Sequence, residues 1–182
     1  MDDDFGLMRR KGLPEALQVL LAAFPRAHWQ EHRNFAGLVQ FWLDRHLTFR
    51  QLLSALQTDA QQAVDGVMAP DRYRLRLSQM GGMLVNQLHG HHQIEDLHYF
   101  PVLTRMETRL SRGFDILDRD HHDLDDLLDR FVRRANETLQ GAEAGRMLTE
   151  VEKLGPFLTR HLDDEEDLIV PVILKHGPDA LH

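Results

Sequence analysis

Four stretches of the chain carry apolar residues at every third or fourth position, the spacing that turns one side of a helix toward a core. The stretches are approximately residues 31–60, 71–101, 111–131 and 148–172. Turns are predicted between helices where Gly66 and Pro70, and then Gly141 and Gly145, interrupt the pattern. The pattern therefore predicts an all-α protein, an antiparallel up-down-up-down four-helix bundle.

The ends and weak points of these helices can also be predicted. Residues 1–29 are expected to precede the bundle, with a loose tail over residues 1–13 and a short extra helix over 14–24. Residues 30–176 are expected to form the bundle domain. Gly81 and Gly82 weaken the second helix by about 1 kcal/mol each and favour close approach of a neighbouring helix. Pro101 is expected to stop or kink that helix, and Pro156 to kink the fourth.

A polar pattern occurs twice along these helices. Residues 91–101 read HHQIEDLHYFP, and residues 161–171 read HLDDEEDLIVP. The residues that match are His91 and His161, Glu95 and Glu165, and Pro101 and Pro171. Each copy follows a further histidine in an apolar stripe, His46 before the first copy and His121 before the second. The chain therefore has two matching halves, each with two histidines and one glutamate at core positions.

This arrangement predicts a site for two metal ions. Residues four apart on a helix share a face, so His91 with Glu95, and His161 with Glu165, can each reach the same metal or metal pair. Buried carboxylates and imidazoles need partners, and two divalent ions would satisfy all six groups, with the glutamates between them. The predicted metal ligands are His46, His91, Glu95, His121, His161 and Glu165. Imidazole and carboxylate ligands suit iron, manganese or zinc.

The register of the repeat also chooses between adjacent candidates. It favours His91 over His92, and His121 over His122. It favours Glu165 over Glu166 as well, but Glu166 lies on the same helical turn, and this alternative stays open.

Composition limits the other functions of the chain. The 182 residues include 12 histidines but no cysteine, which excludes disulfides, thiolate metal sites, iron–sulfur clusters and a cysteine nucleophile. A net charge of -8 without a basic tract argues against nucleic acid and anionic membranes as partners. The apolar run at residues 19–24 is too short for a signal peptide or a membrane span, so a soluble cytoplasmic protein is expected.

The motifs resemble those of the hemerythrin-like, or HHE cation-binding, family, over about residues 30–175. The matching residues are His46 with Phe49 and Arg50, His91 and Glu95 with Phe100 and Pro101, His121 with Leu124, and His161 with Leu162, Glu165 and Glu166. The resemblance implies a four-helix bundle around a non-haem di-iron centre. It also implies four terminal histidine ligands, with Glu95 and Glu165 bridging the two irons.

Two departures separate the chain from the oxygen-carrying hemerythrins. Those proteins have a further histidine at the position of Leu117, and their second bridging carboxylate would correspond to Glu166. The centre is therefore expected to be more symmetric, with a different number of open coordination positions on the irons. Reversible oxygen carriage does not follow from the resemblance alone.

The resemblance leaves three functions open. The favoured one is binding or sensing of oxygen, or of a related small molecule such as nitric oxide or peroxide. The second is a di-iron enzyme, such as a peroxidase, oxidase or ferroxidase. The third is iron handling or iron-centre repair, which is less favoured because such proteins typically carry an additional cysteine-bearing N-terminal region. The sequence does not identify a protein partner.

Overall fold

The computed structural model describes residues 6–181 and shows helices joined by short turns. The α-helices are α1 (Val19–Ala23), α2 (Leu38–Val64), α3 (Pro70–Ile94), α4 (Phe100–Met106), α5 (Ser111–Leu139) and α6 (Ala144–His176). No strand occurs within residues 6–181. None of the helices described there is both long and apolar enough to cross a membrane. The predicted all-α class and four long helices are confirmed.

The ends of the long helices lie where local chemistry favours them. α3 begins with Pro70, whose missing N–H is not needed in a first turn, and Asp71 complements the positive helix terminus. At the other end of the chain, Lys175 and His176 lie in the last turn of α6. Gly177 follows with a φ of 86°, which ends the helix in a backbone conformation that glycine adopts readily.

A single π-helical turn, Glu95–Tyr99, links α3 to α4. Its defining bond is donated by the backbone N–H of Phe100 to the carbonyl oxygen of Glu95. The next residue, Pro101, has no N–H, and its ring would crowd the carbonyl oxygen four residues earlier in a regular α-helix. The interruption expected at Pro101 thus takes the form of a widened turn that includes Glu95, whereas α6 continues through Pro156.

The described residues form two compact units, and each takes a stretch from all four long helices. Unit 1 comprises residues 6–46, 92–121 and 160–181, and unit 2 comprises residues 47–91 and 122–159. Five of the six predicted metal ligands belong to unit 1. His91 is the last residue of its segment in unit 2.

The N-terminal segment, residues 6–29, is part of the core of unit 1. Leu13, Leu17, Leu20 and Trp29 are buried in the same apolar cluster as residues of α2, α5 and α6. Leu7 is only 2% exposed. The expectation of a loose tail is therefore wrong for residues 6–13, because leucines at these positions bury their side chains. Residues 1–5 lie outside the described part of the chain, and the predicted domain boundary at residue 30 stays a prediction.

In unit 2, one of the two adjacent glycines of α3 allows close packing. A Cβ atom on Gly81 would lie 3.3 Å from the ring of Phe131, whereas a Cβ atom on Gly82 would meet nothing within 4 Å. The two positions have the same helical backbone but different surroundings. Only Gly81 has a packing reason to be glycine.

Gly82→Ala is expected to stabilise the protein, because alanine loses less backbone entropy than glycine in a helix. The expected gain is about 0.5–1 kcal/mol in the free energy of unfolding. Gly81→Ala is the matched control, and contact with Phe131 should cancel or reverse the gain there. Urea denaturation of both variants measures the difference. Equal stabilisation by both substitutions would contradict the packing role of Gly81.

Candidate metal centre

Two buried glutamates of unit 1 lie beside His46. His46 comes from α2, Glu95 from the π turn and Glu165 from α6. All three residues are at most 1% exposed, and their possible ligand atoms lie within 4.8 Å of one another. The Nε2 atom of His46 is 3.6 Å from the Oε2 atom of Glu165. Three of the predicted ligands therefore form one compact group.

Three histidines form a second buried group in the same unit. His92, His121 and His161 are each at most 3% exposed, and one nitrogen of each lies within 4.8 Å of the others. The rings of His92 and His121 are stacked with centroids 3.9 Å apart, and the ring of His161 meets both edge-on. The Nε2 atom of His121 is 3.6 Å from the Oε2 atom of Glu95, and that of His161 is 3.3 Å from the Oε2 atom of Glu165. The two groups thus share their carboxylates.

The register of the repeat favoured His91 over His92, yet His92 is the third histidine of this group. The preceding residue, His91, is half-buried and packs against Phe49 in unit 2, with ring centroids 5.3 Å apart. Leu117, where oxygen-carrying hemerythrins have a histidine, is fully buried among apolar side chains. The sequence signal for His92 was its position next to His91. Consecutive helical residues point about 100° apart, so two adjacent histidines can face different neighbours.

The outer nitrogens of three histidines contact further carboxylates. The Nδ1 atom of His46 is 3.0 Å from Glu166, that of His121 is 2.7 Å from Asp96, and that of His161 is 3.3 Å from Asp120. Each of these rings therefore turns Nε2 inward and Nδ1 toward a carboxylate. In metal sites such a contact orients the ring and makes its inner nitrogen a stronger ligand.

The adjacent residues Glu165 and Glu166 have different surroundings. Glu165 is completely buried and accepts a hydrogen bond from Nε1 of Trp42 at 3.0 Å. Glu166 contacts the outer nitrogen of His46 and accepts a 2.7 Å hydrogen bond from Arg26. The geometry therefore favours Glu165 as the inner carboxylate and gives Glu166 a supporting position.

Electrostatics within the group follow from burial and from the shared carboxylates. Burial, and then the neighbouring Glu165, raise the pKa of Glu95 well above its usual value. Burial alone would also raise the pKa of Glu165, but His46 and other partners lower it well below its usual value. Burial alone would lower the pKa of His161, whereas Asp120 and Glu165 raise it to about 9. Without metal, protons and ion pairs compensate the buried charges.

The residues present fit a pair of metal ions. The Nε2 atoms of His121 and His161 are buried and make no hydrogen bond within the described residues, and both face a carboxylate. A donor set of imidazole nitrogens and carboxylate oxygens suits divalent iron, manganese or zinc. Metal ions would neutralise the two central carboxylates and bond to the inward nitrogens.

A family model described as the hemerythrin HHE cation-binding domain matches residues 37–173, which is more than half of the chain. The chain belongs to this family. The match covers every residue of the two groups described above, whereas the N-terminal segment lies outside it. No curated protein and no solved structure gives a significant match. Cation binding is therefore the function that family membership shows for this HHE domain.

Proposed function

We propose that this HHE domain holds two iron ions and that the resulting centre binds or senses oxygen or a related small molecule, nitric oxide or peroxide. The observation that carries the proposal is the buried arrangement of inward imidazole nitrogens around Glu95 and Glu165. The donor set also suits manganese or zinc, so iron rests on family resemblance as well as on ligand chemistry.

The two groups of side chains suggest which residues would bind each of the two ions. His92, His121 and His161 would bind one ion, and His46 would bind the other. His91 is kept as a ligand predicted from the repeat. Glu95 and Glu165 would be shared between the ions, because both groups contact them. Bound iron would supply an open coordination position and a change of oxidation state. His91 enters on its position four residues before Glu95, which places both on one helical face.

Burial supports a small ligand. The central residues His46, Glu95 and Glu165 are no more than 1% exposed, so a large substrate would have to displace packed side chains. Oxygen, nitric oxide and peroxide each have two heavy atoms and need far less space. The protein's residues would exclude bulk water, orient the imidazoles through their outer carboxylates, and hold protons when metal is absent.

Anaerobic reconstitution with ferrous iron tests the proposal. We expect about two irons per chain after removal of unbound metal, as the two ligand groups predict. Optical spectra should then change persistently on addition of oxygen, nitric oxide or peroxide. The Glu165→Ala variant, treated identically, should retain little iron and give no change.

The same titration separates binding from catalysis. A persistent spectral change with stoichiometric consumption supports binding or sensing, whereas sustained consumption of oxidant favours the enzyme alternative. Failure of the native protein to retain iron, with retention of zinc or manganese instead, would overturn the assignment of the metal.

The cytoplasmic location expected from the sequence stays a prediction, which cell fractionation would test.

A further inference from the structure

The N-terminal segment places one arginine against the carboxylate behind His161. Arg10 is 8% exposed, and its two terminal nitrogens donate hydrogen bonds to the two oxygens of Asp120, one of them at 2.6 Å. Its Nε atom donates to Asp164 at 2.8 Å. The second carboxylate oxygen of Asp120 is the atom that lies 3.3 Å from Nδ1 of His161. Arg10, Asp120 and His161 therefore form a continuous chain of contacts that ends at the metal centre.

A second arginine of the same segment reaches the carboxylate behind His46. Arg26 donates from Nη1 to Glu166 at 2.7 Å and from Nε to Asp167 at 2.6 Å, and its guanidinium lies over the ring of Trp29 at 5.0 Å. The other oxygen of Glu166 lies 3.0 Å from Nδ1 of His46. The contacts at His46 thus repeat those at His161, although the arginine comes from another part of the segment.

His121 provides an internal comparison. Its carboxylate partner Asp96 comes from the π turn, and the Asp96 side chain is 32% exposed. The side chains of Asp120 and Glu166 are only 1% and 5% exposed. A buried carboxylate is costly unless a cation compensates it, whereas a partly exposed one is stabilised by water. Arginines are therefore found where the supporting carboxylate is buried.

We propose that Arg10 and Arg26 are positioning residues for the metal centre, with Arg10 acting through Asp120 on His161 and Arg26 acting through Glu166 on His46. The inference rests on the proposed metal centre. Each guanidinium fixes the orientation of its carboxylate by directed hydrogen bonds, from both terminal nitrogens of Arg10 to Asp120 and from Nη1 of Arg26 to Glu166. The carboxylate then keeps Nδ1 of its histidine as the hydrogen-bond donor, so that Nε2 faces the metal.

Anchoring of the segment alone does not account for these contacts. Leu7, Leu13 and Trp29 are each at most 5% exposed and already hold the segment to the core of unit 1. Burial of such apolar side chains stabilises the segment without any charged partner. An anchoring role would also predict the same consequence for every histidine of the centre. The positioning role predicts a separate consequence for each arginine.

The test uses the full-length protein loaded with zinc alone, which is diamagnetic. Arg10→Met and Arg26→Met are compared with Lys11→Met and Arg33→Met, which replace exposed cations of the same region. Competition with a chelator should show zinc held 10- to 100-fold more weakly in the first two variants, as is typical for loss of a supporting contact. The two control variants should retain the native affinity.

Nuclear magnetic resonance gives the readout that a general loss of stability would not produce. In the zinc-loaded native protein, the protons on Nδ1 of His46 and His161 should exchange slowly with water. Arg10→Met should accelerate exchange at His161 and spare His46, and Arg26→Met should do the reverse. If Arg10→Met does not fold, Arg10→Lys serves instead, since it keeps the charge but loses the paired contact and should show the same selective effect.

Three outcomes would count against the inference in different ways. Native affinity and unchanged exchange in both arginine variants would overturn the positioning role and leave the metal centre intact. Equal acceleration at both histidines in either variant would indicate a general structural role and also overturn it. Failure of the native protein and of Lys11→Met to bind either zinc or ferrous iron would instead overturn the metal centre, and the inference with it.

Discussion

Replacing His92 with alanine is expected to reduce the metal content of the reconstituted protein from two ions per chain to about one, because one ion would lose one of three imidazole ligands. The expectation depends on the burial of His92 and on its stacking against His121 at 3.9 Å. The remaining ion would keep His46 and both carboxylates. Metal analysis after identical reconstitution and desalting provides the measurement.

His122→Ala is the matched control, because His122 is adjacent to a predicted ligand but exposed. It should retain both ions, as should the native protein. If His92→Ala also keeps both ions with native affinity, His92 is only a packed core histidine, and the assignment of the three-histidine group fails.

When metal is absent, substitution of the two glutamates is expected to change the free energy of unfolding in opposite directions. Glu95→Gln should leave the metal-free protein equally stable or stabilise it by about 1–3 kcal/mol, since an amide avoids the penalty of a buried carboxylate near a second one. Glu165→Gln should destabilise the metal-free protein by about 3 kcal/mol, because it removes the ionised partner of two buried histidines. The pKa shifts agree with this difference, because the pKa of Glu95 is raised and that of Glu165 is lowered.

With metal present, both substitutions should be harmful. Each removes a shared ligand, so the stabilisation that comes from metal binding to the folded state is lost in both variants. Thermal unfolding of the native protein and both variants, with metal and after chelation, measures all six conditions. Equal losses in Glu95→Gln with and without metal would contradict the account of the buried carboxylates.

Much of the fold could be predicted from the chain because its helices are amphipathic. The alternation of apolar residues indicated four long helices, and the structure places the turn after α2 where Gly66 and Pro70 predicted it. The repeat identified His46, Glu95 and Glu165, which the structure brings together. These features depend on spacing along one helix, and spacing is visible in the sequence.

Other features depend on contacts between distant parts of the chain. The sequence pattern showed no reason for Arg10 to meet Asp120, because they are 110 residues apart and neither belongs to a repeat. Residues 1–13 were expected to form a loose tail, whereas Leu7 and Leu13 are buried. The role of the N-terminal segment as a support for the centre could be recognised only from packing.

The helices, the two-fold repeat and the nitrogen and oxygen ligands of the candidate centre can be recognised in the sequence, since helical periodicity and side-chain type depend on local residues. Contacts between helices give adjacent candidates different surroundings. Tertiary structure brought His92 onto the ring of His121 and turned Glu166 toward Arg26, leaving Glu165 in the middle. Neighbouring residues on a helix differ by about 100° in direction, so the packing partners on other helices select between them.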